Sequence, residues 1–390
     1  MRTDALMHHR HRQAQRGLSL IELMISMTLS LLLLTGLVTF FVNASRNERE
    51  MQKSASQIEN GRYALDTLSQ DLRLTGFYGA YYAYTTPSSL PDPCDTTESV
   101  MLTALGTPVQ GYQAASLSAR PTPPTSCATL LTTANLAVGS DIVVVRYAEP
   151  EPWTLSTATT SGDRYLQANP ISSVIQNGGS TIDCTTDALG AATTITRKCS
   201  IPSSVDRCPT TCGSGGSPAG DIRKMNVRVY FVAPCSVPAS GASGICTGAS
   251  DDGGNPIPTL KRLELTSSGF VIVPVAEGVE YMKIEYGIDG SPTATNSNTG
   301  LIGDGTPDSY TLTPTLTDFA NAVSVRVDLL VRNASISAGY SSAKTYNLGV
   351  DVSTPTSPAY TLGPYTDSYR RHVYAAETRL VNLSGRRENP

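Results

Sequence analysis

Glu22 is the single ionisable side chain in a 25-residue apolar run, Leu18–Val42. An ionised group at the centre of a bilayer costs about 2.5–3.5 kcal/mol even on lenient insertion scales, so a carboxylate placed there calls for a specific reason. The other chemically capable groups lie far downstream. Eight cysteines (Cys94, Cys127, Cys184, Cys199, Cys208, Cys212, Cys235 and Cys246) can form disulfides or hold a metal. Asp289, Asp304 and Asp308, with Asn296 and Asn298 among glycines, offer the oxygen ligands that calcium takes, although the same residues are what turns require. Of four histidines, His8, His9 and His11 precede the apolar run and only His372 follows it. With no P-loop, GxSxG or HExxH pattern, the chain does not read as an enzyme, and the expected number of cofactors is none.

The apolar run decides topology. Twenty-five residues make about 38 Å of helix, enough to cross a hydrocarbon core of about 30 Å. Residues 1–17 carry Arg2, Arg10, Arg12 and Arg16 against Asp4, a net of +3 in a chain of net −4, which leaves −7 beyond them. Basic residues before an apolar span keep that end cytoplasmic and send the rest outward. An acidic exported portion without a basic stripe argues against nucleic-acid binding. Eight cysteines in an oxidising compartment imply four disulfides, of which sequence allows 105 pairings. Neighbours are the simplest pairs: Cys94–Cys127, Cys184–Cys199 and Cys235–Cys246. Cys208 and Cys212 close a short loop or pair elsewhere. A structural zinc site is the alternative, with no histidine nearby to favour it.

No proline precedes Pro87, although the chain has 25. Proline costs about 3 kcal/mol inside a helix, so one continuous helix from Leu18 to about Gly76, close to 90 Å, is predicted. Its first part, residues 18–42, is apolar all round. Its second part, residues 43–76, shows Met51, Ile58, Leu65 and Leu72 seven apart as a packing stripe, with Arg49, Lys53, Glu59, Arg62, Asp66 and Asp71 on the opposite face. From Phe77 the texture changes to Gly, Pro, Ser and Thr with short alternating runs. Strands are predicted at 141–147, 226–232, 260–266, 270–275, 280–286, 323–331, 346–352 and 372–381. In the sixth, Val323, Val325, Val327 and Leu329 face a core while Ser324, Arg326 and Asp328 face away. Turn-rich insertions at about 85–135 and 182–258 hold all the cysteines. The predicted class is α+β: a long N-terminal transmembrane and amphipathic helix packed on an antiparallel β-sheet head, residues 77–390, with disulfide-stapled loops.

The stretch Gly17-Leu18-Ser19-Leu20-Ile21-Glu22-Leu23 resembles the class III leader of type IV filament subunits. Gln57–Gly79 (QIENGRYALDTLSQDLRLTGFYG) is similar to the helix end of PilW-type minor pilins. So are Val279–Asp289, the loop at Gly303–Asp308, Ala322–Arg332 and Arg379–Asn382 to their sheet. The resemblance implies cleavage of residues 1–17 by a prepilin peptidase after Gly17 and N-methylation of Leu18. It also implies that Glu22 meets the free amine of a neighbouring subunit. The sequence departs from many pilins in having Leu18 where phenylalanine is common and in lacking a proline within the apolar helix.

The function implied is a minor pilin that helps initiate type IV pilus assembly. Its implied partners are other minor pilins, the major pilin and the inner-membrane assembly platform, with the head in the periplasm. A pseudopilin of a type II secretion system, similar to GspJ, and a pilus-tip adhesion or DNA-uptake module are the alternatives.

Overall fold

A computed structural model describes residues 19–82, 85–152, 161–168, 173–178, 181–183, 198–200, 211–212, 217–218, 221–239, 241, 244–290, 303–341, 343–350 and 358–388. The chain divides into two compact units, Met1–Gln52 and Lys53–Pro390. Helix α1 (Leu20–Leu74) begins in the first and ends in the second. In the first unit it is long and apolar enough to cross a membrane, and its apolar side chains are exposed throughout.

The second unit holds the remaining elements: α2 (Glu98–Ala104), α3 (Leu316–Asn321), α4 (Val381–Ser384) and seventeen strands among the described residues. β1 (Val109–Tyr112), β2 (Ile142–Ala148), β3 (Arg164–Ala168) and β4 (Ser173–Asn177) come first. β5 (Thr181–Asp183) pairs with β6 (Lys198–Ser200), and β7 (Thr211–Cys212) with β8 (Ser217–Pro218), as two small ladders. The long β9 (Asp221–Ala233) is followed by β10 (Thr259–Thr266) and β11 (Gly269–Glu277). β12 (Val279–Ile288), β13 (Ser309–Thr311), β14 (Ala322–Arg332), β15 (Tyr346–Val350), β16 (Pro358–Leu362) and β17 (Arg371–Arg379) complete the set.

These strands build the antiparallel β head as two principal sheets. The first runs β1-β2-β9-β10-β11, with β3 and β4 attached beside the start of β9. The second runs β13-β12-β14-β17. β9 is the central strand of the first sheet, so 221–233 is not part of an insertion. The apolar face of each sheet turns toward α1. Ala64, Leu68 and Leu72 share one core with Val143, Val145, Tyr230 and Leu260 from the first sheet and Met282, Ile284, Val325, Val327 and Leu329 from the second.

The segment 85–135 also differs from expectation. It contributes Met101, Leu105, Cys127 and Leu131 to a second core on the other face of the first sheet, against Val144, Val227, Val229 and Phe231. The outer face of β14 is largely covered, with only Arg326 partly exposed. Ser324 and Asp328 are buried, and Gly349 of the β15–β16 hairpin donates its N–H to Asp328 Oδ2 at 3.1 Å.

The helix presents a different face from the heptad stripe. Within the second unit its buried residues are Gln57, Gly61, Ala64, Leu68, Asp71 and Leu72. Ile58, by contrast, is 49% exposed and Met51, in the first unit, 68%. Hydrogen bonding and shape select this rotation. Gln57 Nε2 donates to Val331 O at 2.7 Å and Arg370 O at 3.0 Å, satisfying carbonyls at the ends of β14 and β17. Gly61 lies against the Tyr374 ring, where a Cβ would stand 2.5 Å from Cε2.

Asp71, placed by its periodicity on the polar face, is buried. It takes Arg228 Nη1 at 2.5 Å, Tyr147 Oη at 3.2 Å and a short hydrogen bond from Tyr230 Oη. Burial and then the Asp71 charge push both phenols far above their ordinary range. The helix closes at Gly76 (φ +76°), as a glycine C-cap should, and Asn382 Nδ2 donates to the carbonyls of Arg73, Leu74 and Thr75.

Asp71→Ala leaves Arg228 without its partner and should cost about 3–5 kcal/mol, read as a lower urea midpoint of the detergent-solubilised chain. The triple variant Asp71→Leu, Arg228→Met, Tyr230→Phe should recover much of that loss. Gly61→Ala should cost about 1–3 kcal/mol through overpacking, and much less in a Tyr374→Ala background; equal costs in both backgrounds would remove the ring contact as the cause.

Candidate assembly site

Glu22 lies in the first turn of α1, where the unsatisfied N–H groups and the helix dipole favour a negative charge. Leu23 N–H already bonds Ser19 O at 3.1 Å, so the helical path begins within two residues of Leu18. The hydroxyls that accompany Glu22 are spent on the helix itself: Ser26, Thr28, Ser30, Thr35 and Thr39 donate to carbonyls three or four residues back. Among the described residues no side chain of the same chain pairs with Glu22, which stands exposed on an apolar cylinder. Gly17 and Leu18 lie outside the described residues. What the described part offers is one carboxylate, near a helix start, open to a cationic group from elsewhere.

The cysteines divide. Cys94–Cys127 and Cys235–Cys246 are disulfides, two of the neighbouring pairs considered above. Cys184 and Cys208 lie outside the described residues, and of Cys199 and Cys212 only the backbone is described. Among the described residues the one cluster with metal-ligand proximity is Cys235, Cys246 and Asp251. Its two sulfurs are spent on their disulfide, so zinc there has no thiolates.

The three aspartates proposed for calcium are not brought together as a ligand set. Asp289 Oδ2 accepts the Gly305 N–H at 2.8 Å and faces Arg387 Nη1 at 3.9 Å. Asp308 Oδ2 accepts the Gly290 N–H at 2.8 Å, and Asp304 Oδ1 caps Thr306. One oxygen of each thus serves a turn N–H, and that of Asp289 also faces a guanidinium. Asn296 and Asn298 lie outside the described residues. His372 is exposed on β17 and stacks edge-on against Tyr374, 4.8 Å between centroids, with no nucleophile attached to it.

Sequence reasoning missed a pair of carboxylates that organise the loop after β9. Asp252 accepts Ser236 N, Val237 N and Ile257 N, and Asp251 accepts Ala239 N, Thr247 N, Gly248 N and the Thr247 hydroxyl. The adjacent Asp251-Asp252-Gly253-Gly254 reads as a simple turn, and nothing in it signals that two carboxylates accept seven hydrogen bonds, six from N–H groups and one from a hydroxyl. Burial alone would raise the Asp251 carboxyl. The N–H groups of Gly248, Ala239 and Thr247 with the Thr247 hydroxyl outweigh it and hold the group at about 2.

Residues 247–382 match the family model of type IV pilus-assembly protein W, and residues 12–38 match the prokaryotic N-terminal methylation motif. The first match spans β10 to the start of α4 and the second takes in Gly17, Leu18 and Glu22. No curated protein matches the chain. A type IV-like pilin from Thermus thermophilus is similar over 57% of this chain and 85% of its own, at 11% identity and a TM-score of 0.21, too shallow a superposition to bear on the fold.

Because Asp251 is depressed below the ordinary unfolded value of about 3.9, its contribution to stability is complete above that value and lost as pH falls through about 2. Between pH 5 and 2.5, values chosen to bracket roughly that window, the urea midpoint of the wild type should fall more steeply than that of Asp251→Asn. Parallel slopes would exclude Asp251 as the titrating group.

Proposed function

We propose that this chain, whose residues 247–382 match the family model of type IV pilus-assembly protein W, is a type IV minor pilin of that family and acts in priming pilus assembly. It would do so as one subunit of an inner-membrane complex with other minor pilins, to which the major pilin is added. Glu22 carries the reading: an exposed carboxylate without a partner among the described residues of its chain, in a bilayer-length apolar helix that starts within the methylation-motif match. Cleavage after Gly17 would create a free amine at Leu18, and methylation would leave that amine cationic. The Glu22 carboxylate of one subunit and the Leu18 amine of the next then offset each other's desolvation, whereas either alone would be a costly charge in lipid. The pair fixes axial register, because charge neutralisation is available at one height only.

Membrane orientation follows from the same residues. Arg2, Arg10, Arg12 and Arg16 hold the leader on the cytoplasmic side, where the prepilin peptidase and the assembly platform would act. The disulfides Cys94–Cys127 and Cys235–Cys246 suit an exported head. No nucleic-acid role is proposed, and the structural role assigned to the family is not catalytic.

Gly17→Ala should leave the leader attached, whereas the wild-type mature protein should begin at Leu18 with one added methyl group by mass spectrometry. Glu22→Ala should be processed normally yet fail to support surface pili and twitching motility. Protein secretion, measured in parallel, should be unaffected. Intact pili with failed secretion would assign the protein to a secretion pseudopilus instead, and normal pili in both variants would end the assembly reading.

A further inference from the structure

The Cys235–Cys246 bridge has surroundings that a loop staple does not require. Both cysteines are fully buried. Lys261 on β10, 1% exposed, brings Nζ to 3.7 Å from Cys235 Sγ and 3.6 Å from Cys246 Sγ, and donates to Gly244 O at 2.9 Å. A buried ammonium ordinarily takes a carboxylate; here two sulfurs and a carbonyl stand in that place. The charged groups acting on Lys261 through space are Asp252 and Asp251.

Those same carboxylates grip the two cysteine arms. Asp252 holds the N–H groups of Ser236 and Val237, directly after Cys235, at 3.0 and 2.6 Å. Asp251 holds those of Thr247 and Gly248, directly after Cys246, at 2.7 and 2.9 Å. The Cys235 N–H also points at Cys246 Sγ, 3.1 Å away. None of these bonds needs the sulfur–sulfur bond to exist, so the loop is closed by carboxylates before it is closed by sulfur.

We propose that Lys261 is a positioning residue for oxidation of this pair, holding reduced Cys235 and Cys246 as thiolates in an already assembled loop so that exchange with a disulfide-bearing oxidant closes the bridge. An adjacent ammonium favours the thiolate, which is the attacking form, and Lys261 Nζ, at 3.6–3.7 Å, stands against the opposing Asp251 carboxylate, which lies within 4.8 Å of both sulfurs. Cys246 receives both the lysine and the Cys235 N–H, so it ionises first. Its thiolate attacks one sulfur of the oxidant's disulfide, forming a mixed disulfide and expelling one oxidant thiolate. The Cys235 thiolate then attacks Cys246 Sγ; the bond to the oxidant breaks and the second thiolate leaves. Two protein thiols are oxidised, one disulfide is reduced, and the two protons end on the released thiols. Burial lowers the lysine itself to about 8, so the ammonium is present through neutral pH and its influence fades above that. Val237 and the residues from Thr247 to Ser250 face solvent, so opening of these arms admits the oxidant.

The Cys94–Cys127 pair is the internal control. Asp92 ties its arms through Cys94 N and Ser126 N, but among the described residues no lysine or arginine contacts its sulfurs.

The full chain, reduced in detergent under native conditions, is treated at a series of pH values with iodoacetamide, and separately with oxidised glutathione. Each cysteine-bearing peptide is followed by mass spectrometry. Cys246 alkylation should have its pH midpoint about one unit or more below that of Cys94 and Cys127. Lys261→Met should raise that midpoint and slow closure of Cys235–Cys246 about tenfold near pH 6.5 while leaving Cys94–Cys127 unchanged. Lys261→Arg should retain most of the wild-type behaviour. Coincident midpoints for both pairs in the wild type, a comparison that needs no variant to fold, would overturn the proposal, as would an unchanged Cys246 profile in a folded Lys261→Met chain.

Discussion

Asp71 sets the rotation of α1 within the second unit. A carboxylate withdrawn from water must be compensated on the spot, and only one rotation of the helix brings Asp71 to Arg228 and Tyr230 on β9 and to Tyr147 on β2. Once that rotation is set, the positions three, seven and ten residues earlier are carried into the core: Leu68, Ala64 and Gly61. Gly61 has no side chain at the point where Tyr374 crosses, and Gln57, one turn further, meets two strand-end carbonyls. Leucines supply the apolar area, but area is non-directional, and polar groups decide which leucines are used.

The two sheets are joined by a similar device. Asp141, at the entry to β2, accepts Lys283 Nζ at 2.9 Å, Ala114 N at 3.0 Å and Ile284 N at 3.1 Å, and its own N–H bonds Met282 O. Lys283 lies 4.3 Å from the centroid of Tyr360. The family match begins just before β10 and takes in all of the second sheet, whereas β1 to β9 lie outside it. The portion outside the match adds Val109, Val143, Val145, Tyr230 and Val232 to the core around α1 and joins the matching portion through buried charge as well as apolar contact. A buried ion pair is a weak source of stability but costly to break once formed, which suits a junction that must be unique.

What could be read from the sequence follows from how local each signal is. β10, β11, β12, β14 and β17 span eight or more residues rich in β-branched, aromatic and other apolar side chains, alternating most clearly in β14, and were legible. β1, β3, β4, β13 and β16 span three to five residues each, too few for a period to register. The segment 85–135 looked too rich in turns to bury a core. It does so because the outer face of the first sheet supplies most of the apolar surface and the segment adds only a few side chains. Asp289, Asp304 and Asp308 read equally as ligands or as turn residues, and only folding shows their partners: Gly305 and Arg387 for Asp289, Thr306 for Asp304 and Gly290 for Asp308.

The sequence by itself determined that a proline-free helix follows the start of the apolar run, that its first part is long and apolar enough to cross a membrane, that one carboxylate lies in that part, and that a β-rich, cysteine-bearing head follows. Each of these rests on composition or on a period within a few turns. Tertiary structure alone decided which face of the helix is buried, that Asp71 belongs to the interior, and that a lysine sits on one disulfide. In those cases the deciding partner lies far along the chain, 157 residues from Asp71 to Arg228 and 26 from Cys235 to Lys261. No local pattern carries information about a partner that only folding brings near.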